Sequence, residues 1–118
     1  QLRLDMAGLE DVVSQLPPHR SVAFEFRHPS WFCDAVHRVL GRNGYALCFN
    51  DETMPAMQST ANWGYLRLRR GKYSEADLST MAGEVRSQPW EAAYVFFKSE
   101  STDAPHQARQ WLQTASKM

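Results

Sequence analysis

The stretch of sequence that decides the fold is FEFRHPSWF at residues 24–32. It begins as an apolar, strand-like run and opens into a polar turn at His28 and Pro29. Glu25 and Arg27 alternate with the phenylalanines, so both charged side chains lie on one face of the predicted strand. Burying charged groups on a strand costs several kcal/mol unless they are paired. We therefore expect a functional site at the end of this strand.

Strand-like and helical segments alternate outward from this stretch. Four segments are predicted to be strands from their apolar character and length: Val22–Phe26, Tyr45–Phe49, Trp63–Leu68 and Ala93–Phe97. Apolar residues at helical spacing predict helices over residues 2–16, 35–40, 74–85 and 105–115. Ser74 and Asp77 form a capping-box pattern at the start of the third helix. The polar segment 50–62 is the one connection between strands without a predicted helix, and it is just long enough for a crossover.

This order predicts an α/β fold in which four parallel strands alternate with helices, because strands separated by helices pair in parallel. Such a unit is half of a TIM (β/α)8 barrel, which takes about 250 residues when complete. The chain has 118 residues, which fits one domain with one core. Half a barrel leaves two strand edges unpaired, and unpaired edges favour association. Two alternatives stay open: the other half is missing from this chain, or two copies form a homodimer through their exposed sheet edges.

Composition restricts the partners and the compartment. No apolar run approaches the roughly 18 residues that span a bilayer, so no membrane partner is expected. The net charge is zero, so any affinity for nucleic acid must come from a local patch. The two cysteines, Cys33 and Cys48, are too few for a disulfide framework and predict free thiols in a reducing compartment, the cytoplasm. Since the sequence begins at Gln1, we expect a fragment or a processed product.

In an α/β barrel, the functional site lies at the carboxyl ends of the strands. Side chains at or just after those ends form the predicted mouth: Glu25, Arg27, His28, Trp31, Asp51, Arg67, Arg69, Tyr73 and Lys98. Arginine binds phosphate and carboxylate in a bidentate manner, so the cations predict an anionic ligand. Glu25 and Asp51 are the candidate catalytic acid and base if their environments separate their pKa values.

Structural explanations of the same residues stay open. Glu25 and Arg27 can pair with each other, or with Arg67, to neutralise the barrel interior. Trp31 can anchor the start of a helix, and His28 can bond to the backbone of its turn. Arg69, Arg70 and Lys72 can form a solvated loop, and Tyr65 can belong to the core.

A metal site at Glu25, His28 and Asp51 is disfavoured, because neighbouring arginines repel a cation and no ligand spacing typical of metal sites is present. No metal is therefore predicted, and the cofactor is left unknown.

Four blocks of the sequence resemble the DUF72 (YecE-like) family. They are FEFRHPSWF at 24–32, ALC at 46–48 with Asp51, WGYLRLRRG at 63–71 with the following YS, and YVFFK at 94–98 followed by AP at 104–105. The resemblance covers nearly the whole chain. It implies the C-terminal half of a TIM-barrel domain about twice this length, with the N-terminal half absent from residues 1–118. The family has no established biochemical role, so the resemblance implies a fold and leaves the reaction open.

Three functional interpretations are compatible with these patterns. In the first, a TIM-barrel enzyme, with hydrolysis as the candidate reaction, binds a phosphorylated ligand. Arg27 and Arg67 clamp the anion, and Trp31 or Tyr73 stacks on a ring of the ligand. In the second, a non-catalytic module binds nucleic acid through basic side chains interleaved with Trp31, Trp63 and Tyr73. In the third, the chain is a barrel fragment without activity of its own, so whether it is an enzyme stays uncertain.

Overall fold

A computed structural model describes residues 3–17 and 20–98 of the chain. Its helices are α1 (Met6–Gln15), α2 (Asp34–Arg42) and α3 (Glu75–Ser87). Its strands are β1 (Ala23–Phe24), β2 (Ala46–Leu47), β3 (Phe49–Asn50), β4 (Trp63–Leu68) and β5 (Ala92–Phe97). A 3-10 turn, Pro29–Trp31, lies between β1 and α2. The helix predicted over residues 105–115 falls outside the described residues.

Within the described residues, every strand pairs in parallel. β1 pairs with β2 in one sheet, while β4 lies between β3 and β5 in the other. Only Cys48 separates β2 from β3, and its backbone N–H donates to the carbonyl oxygen of Phe24 at 2.7 Å. Residues 46–50 therefore pair with β1 on one side and with β4 on the other. The predicted strand Tyr45–Phe49 appears as two short strands because its pairing changes sides at Cys48.

The predicted α/β class with parallel strands is confirmed, and the strand limits differ in detail. β4 has the predicted bounds, and β5 begins one residue before the predicted Ala93. The first strand is shorter than the predicted Val22–Phe26, because the chain turns away after Phe24 toward the 3-10 turn. There the ring of Phe26 stacks on Trp31, with a centroid distance of 4.3 Å.

Local sequence explains where the helices begin. α1 starts at Met6 rather than at residue 2, because Asp5 caps it by accepting a hydrogen bond from the Gly8 backbone N–H at 3.0 Å. The predicted capping box of α3 is present: the Asp77 backbone N–H donates to Ser74 Oγ, and the Ser74 backbone N–H donates to Asp77 Oδ2, both at 3.0 Å. After α2, Gly44 adopts a φ of 69°, which turns the chain back into β2.

The hydrophobic core lies between one face of the strands and the helices. Its large fully buried aliphatic side chains come from α2, β4 and α3: Val36, Leu40, Leu66, Leu68 and Leu78. The predicted polar loop 50–62 also contributes to this core, since Met54 and Met57 are only 6% and 7% exposed. None of the helices in the described ranges combines the length and apolar character that crossing a membrane requires.

The other face of β4 and β5 is open. Tyr94 and Phe96 are 55% and 51% exposed. In the register of the two strands, Tyr65 is level with Tyr94 and Arg67 is level with Phe96. We call the side chains of Trp63, Tyr65, Arg67, Tyr94 and Phe96 the open face.

The packing of β4 against Trp90 can be tested by substitution of Gly64. A Cβ atom added at Gly64 would lie 2.5 Å from Cε3 of Trp90, closer than two carbon atoms can approach. We expect Gly64→Ala to lower the free energy of unfolding by about 1–3 kcal/mol, because the ring or the strand must shift. Urea unfolding followed by circular dichroism measures this change.

Gly83→Ala is the matched control. Nothing lies within 4 Å of a Cβ added at Gly83. Because this glycine is inside α3, alanine should stabilise the helix by up to about 1 kcal/mol. A Gly64→Ala protein as stable as the parent would contradict the close contact with Trp90.

Candidate functional site

The carboxylate of Glu25 connects three strands near their carboxyl ends. Glu25 Oε1 accepts a hydrogen bond from Nη1 of Arg67 at 2.6 Å, and Oε2 accepts one from Nδ2 of Asn50 at 2.9 Å. Glu25 directly follows β1, Asn50 ends β3, and Arg67 is level with Asn50 on β4. We call these three residues the Glu25 cluster. The predicted ion pair between Glu25 and Arg67 is thus present.

Within the Glu25 cluster, the Glu25 carboxylate and the Arg67 guanidinium are both charged at neutral pH. Burial alone would raise the pKa of Glu25, but the hydrogen bonds from Asn50 and Arg67 and the charges of Arg67 and Arg27 outweigh it and lower the pKa below 4.5. The hydrogen bond to Glu25 raises the pKa of Arg67. At neutral pH, two guanidinium groups therefore act on one ionised carboxylate, whose two oxygens already accept hydrogen bonds.

Cys48 lies beside this cluster and is chemically quiet. Burial, reinforced by the negative charge of Glu25, raises the pKa of its thiol to about 12. The thiol is therefore protonated at neutral pH and is a poor nucleophile. Cys33 and Cys48 are both free.

A second group of side chains fixes the loop after β4. The Asp51 carboxylate accepts hydrogen bonds from the Arg69 backbone N–H at 2.8 Å, from Arg70 Nε at 3.1 Å and from the Tyr73 hydroxyl. The Tyr73 hydroxyl accepts in turn from the Arg70 backbone N–H at 3.0 Å. Burial and the bond to Asp51 both raise the pKa of Tyr73. We call Asp51, Arg69, Arg70 and Tyr73 the Asp51 cluster.

A cavity of about 540 Å³ lies between α1 and the chain from the end of β1 to the 3-10 turn. Apolar side chains from both elements and charged side chains at the end of β1 line it, among them Leu9, Val12, Phe24, Glu25, Arg27 and His28. We call it the β1 groove. Glu25 thus belongs to the cluster and to the groove at once.

His28 and Trp31 also line the β1 groove, and both have structural contacts. Nδ1 of His28 accepts a hydrogen bond from the Ser30 backbone N–H at 3.1 Å and caps the 3-10 turn. Trp31 is 8% exposed, and its ring stacks on Phe26 with an interplanar angle of 2°. The structural explanations of these two residues are therefore present, and their roles in ligand binding stay predictions.

The predicted site residues are thus distributed over neighbouring groups. Glu25 and Arg67 form one cluster, with Arg27 contributing charge, while Asp51, Arg69 and Tyr73 form the other. The two are adjacent because Asn50 and Asp51 follow each other in the chain. Lys98 follows β5, and its backbone N–H donates to the Leu68 carbonyl oxygen at 3.0 Å.

Two members of these clusters were not among the predicted site residues. Asn50 is 3% exposed, and a polar residue at the end of a buried strand is the signal that could have identified it. Arg70 is 46% exposed, which agrees with the solvated loop, and its guanidinium also lies 4.9 Å from the centre of the Tyr73 ring. Over residues 3–17 and 20–98, no three His, Cys, Asp or Glu side chains are grouped to hold a metal ion.

Comparison with known proteins gives one match. The profile of the family described as "Protein of unknown function DUF72" matches residues 1–118. The chain belongs to DUF72. No curated protein and no solved structure matches it. The family assignment confirms the resemblance of the four sequence blocks, and it brings no reaction or ligand with it.

The Glu25 cluster predicts a pH dependence of the stability of this DUF72 chain. Because the pKa of Glu25 is lower in the folded state than in the unfolded state, its ion pair stabilises the fold above the unfolded value and is lost as the pH falls through the folded value. Glu25→Gln keeps the shape of the side chain without its charge. We expect the parent to lose more unfolding free energy than Glu25→Gln between about pH 6 and about pH 3. Urea unfolding across this range measures the difference, and parallel curves for the two proteins would contradict it.

The Asp51 cluster predicts energetic coupling between Asp51 and Tyr73. Asp51→Asn and Tyr73→Phe should each lower the free energy of unfolding by about 1–3 kcal/mol, since each leaves buried groups without partners. The double variant should lose less than the sum, by about 0.5–3 kcal/mol, because both changes break the same contact. Glu52→Gln is the control, because the Glu52 side chain is 48% exposed and its ion pair with Arg69 contributes at most about 1 kcal/mol. Additive effects of Asp51→Asn and Tyr73→Phe would refute the coupling.

Proposed function

We propose that this chain forms part of the mouth of a TIM-barrel protein that binds an anionic, phosphorylated ligand at the carboxyl ends of its strands. The observation that carries the proposal is the hydrogen-bonded Glu25–Arg67 pair with Arg27 acting on it. Glu25 holds Arg67 in one orientation and already has two donors, so positive charge remains for an anion. Bidentate guanidinium donors match the oxygens of phosphate in particular.

Three observations support the half-barrel. Chain segments 23–24, 46–50, 63–68 and 92–97 follow one another in parallel. Fully buried apolar side chains of α2, β4 and α3 lie together on one side of the strands, and the open face is on the other. The Glu25 cluster lies near the carboxyl ends of the strands, where TIM barrels carry their sites.

For the reaction, we propose hydrolysis, in which Glu25 and Asp51 transfer protons. The structure favours Glu25 of the two, since 21% of its side chain is exposed against 4% of that of Asp51. Its lowered pKa makes Glu25 a base or an orienting partner of Arg67 at neutral pH rather than an acid. Asp51 supports the loop that carries Arg69 and Tyr73, the remaining proposed ligand contacts on that side.

The free thiols of Cys33 and Cys48 support a reducing compartment, for which we propose the cytoplasm.

A second candidate function is the binding of single-stranded nucleic acid. It is favoured by the half-exposed rings of Tyr94 and Phe96, which lie beside Arg67 on the open face. Bases stack on such rings with about 1–3 kcal/mol each, and neighbouring cations contact the phosphates.

Calorimetric titration with inorganic phosphate and with a nucleoside monophosphate tests the anion site. Arg67→Ala should abolish binding, and Arg27→Ala should weaken it about 10- to 100-fold, which corresponds to one charged hydrogen bond. Arg42→Ala is the charge-matched control, because Arg42 forms an exposed ion pair with Glu10 at 3.6 Å on the helical side. Unchanged phosphate binding by the Arg67→Ala variant would contradict the proposed arginine clamp.

The same proteins distinguish the second candidate. If the chain binds nucleic acid, its affinity for a single-stranded oligonucleotide should fall steeply with salt concentration. Phe96→Ala should then lose oligonucleotide binding and keep phosphate binding. This pair of results would favour the second candidate.

A further inference from the structure

The Asn50 side chain has a hydrogen-bond partner at each end of its amide. Oδ1 accepts a hydrogen bond from the Glu52 backbone N–H at 2.9 Å, and Nδ2 donates one to Glu25 Oε2, also at 2.9 Å. A backbone N–H can only donate, so the amide oxygen must point toward Glu52 and the amide N–H toward Glu25. Because Asn50 is 3% exposed, little water competes for these bonds, and the amide has one orientation.

The main chain of Asn50 is anchored as well. Asn50 pairs level with Arg67 in the register of β3 and β4. Its carbonyl oxygen accepts a hydrogen bond from the Met54 backbone N–H at 2.9 Å, and Met54 belongs to the hydrophobic core. The amide that meets Glu25 is therefore carried by a strand end that is tied to the core, which positions a donor more precisely than a surface loop does.

We propose that Asn50 is a positioning residue of the proposed anion site, where it holds Glu25 ionised and aligned with Arg67. This inference rests on the proposed function. A hydrogen bond from a neutral amide stabilises the ionised form of a carboxylate and adds no charge of its own. Asn50 therefore fixes one oxygen of Glu25 and leaves the other to Arg67, at 2.6 Å. Through Glu25, it sets the direction in which Arg67 presents its other guanidinium donors to a ligand.

Charged and titratable side chains from several elements of the described chain surround Glu25. They are Arg67 on β4, the Cys48 thiol between β2 and β3, Arg27 after β1, and the other charged or titratable residues that line the β1 groove, Arg3, Asp5 and His28. The guanidinium groups are charged at neutral pH, and the thiol is protonated because burial raises the pKa of Cys48 to about 12. Asn50 is thus a direct and neutral partner of Glu25 that can be exchanged for a titratable group of the same shape.

Asn50→Asp keeps the shape of the side chain and replaces its N–H donor by an oxygen. One oxygen of the new carboxylate still accepts from the Glu52 backbone N–H, while the other meets Glu25 Oε2. Two carboxylates at hydrogen-bond distance share one proton, so one of their two pKa values is strongly raised. At low pH this proton replaces the lost amide N–H. As the pH rises, the proton is released, and the second negative charge beside Arg67 opposes the binding of an anion.

Calorimetric titration with sulfate at several pH values tests this role. Sulfate has the tetrahedral oxygens of phosphate and keeps its charge between about pH 5 and about pH 8, so a change in affinity comes from the protein. We expect Asn50→Asp to bind sulfate as tightly as the parent at about pH 5, and about 10- to 100-fold more weakly at about pH 8, which corresponds to one charged hydrogen bond. His28 is present in both proteins, so its contribution cancels in this comparison.

Asn62→Asp is the matched control. Nδ2 of Asn62 donates to Glu91 Oε2 at 3.3 Å, so the substitution also places a carboxylate beside a glutamate. Asn62 is exposed and directly precedes β4, whereas Arg67 lies near the carboxyl end of this strand. We expect Asn62→Asp to bind sulfate as the parent does at every pH.

The combination of Asn50→Asp with Glu25→Gln keeps the test decisive if the single variant does not fold. In this double variant, an amide at position 25 donates to a carboxylate at position 50 and accepts from Arg67, so the hydrogen bonds and the total charge are restored. We expect circular dichroism to show the parental fold, and the sulfate affinity to follow the pH profile of the parent. A double variant that is unfolded, or that loses affinity with rising pH where the parent does not, would overturn the positioning role.

The outcomes separate this inference from the proposed function. If the parent binds sulfate and Asn50→Asp differs from it by the same factor at every pH, Asn50 has a structural role only, and the anion site stands. If the parent binds neither sulfate nor phosphate, the proposed function fails and the positioning role fails with it.

Discussion

The Glu25 carboxylate is the interaction on which the arrangement of the site depends. It follows β1 in one sheet, whereas its two donors, Asn50 and Arg67, belong to the other sheet. Its contacts thus join two sheets that, in the part of the chain that the structure describes, follow each other through residues 46–50. Because the carboxylate is partly buried, loss of one donor leaves an oxygen of Glu25 without its hydrogen-bond partner and destabilises the charged form. The orientation of Arg67 is therefore a consequence of its hydrogen bond to Glu25, which adds to the backbone pairing that already holds the two sheets together.

The segment 46–51 contributes one residue to each of the two clusters. Asn50 and Asp51 are consecutive and act in different directions, Asn50 toward Glu25 and Asp51 toward the loop after β4. A buried carboxylate that accepts from Arg69, Arg70 and Tyr73 keeps that loop in one conformation. Cys48, between β2 and β3, stays protonated and adds no charge of its own. In the proposed anion site, the charged groups that face a ligand are therefore Arg27 and Arg67, and Asn50 helps to position Arg67 because both donate to Glu25.

Sequence reasoning succeeded where a local pattern determines the structure. Alternation along the first strand placed Glu25 where it meets Arg67, and the Ser74 and Asp77 spacing identified the start of α3. It could not assign Asp51, because a carboxylate after a strand has the same sequence pattern whether it transfers protons or anchors a loop. Only its burial and its three donors distinguish these roles. Met54 was missed for a related reason, since a residue inside a polar segment enters the core only through tertiary contacts.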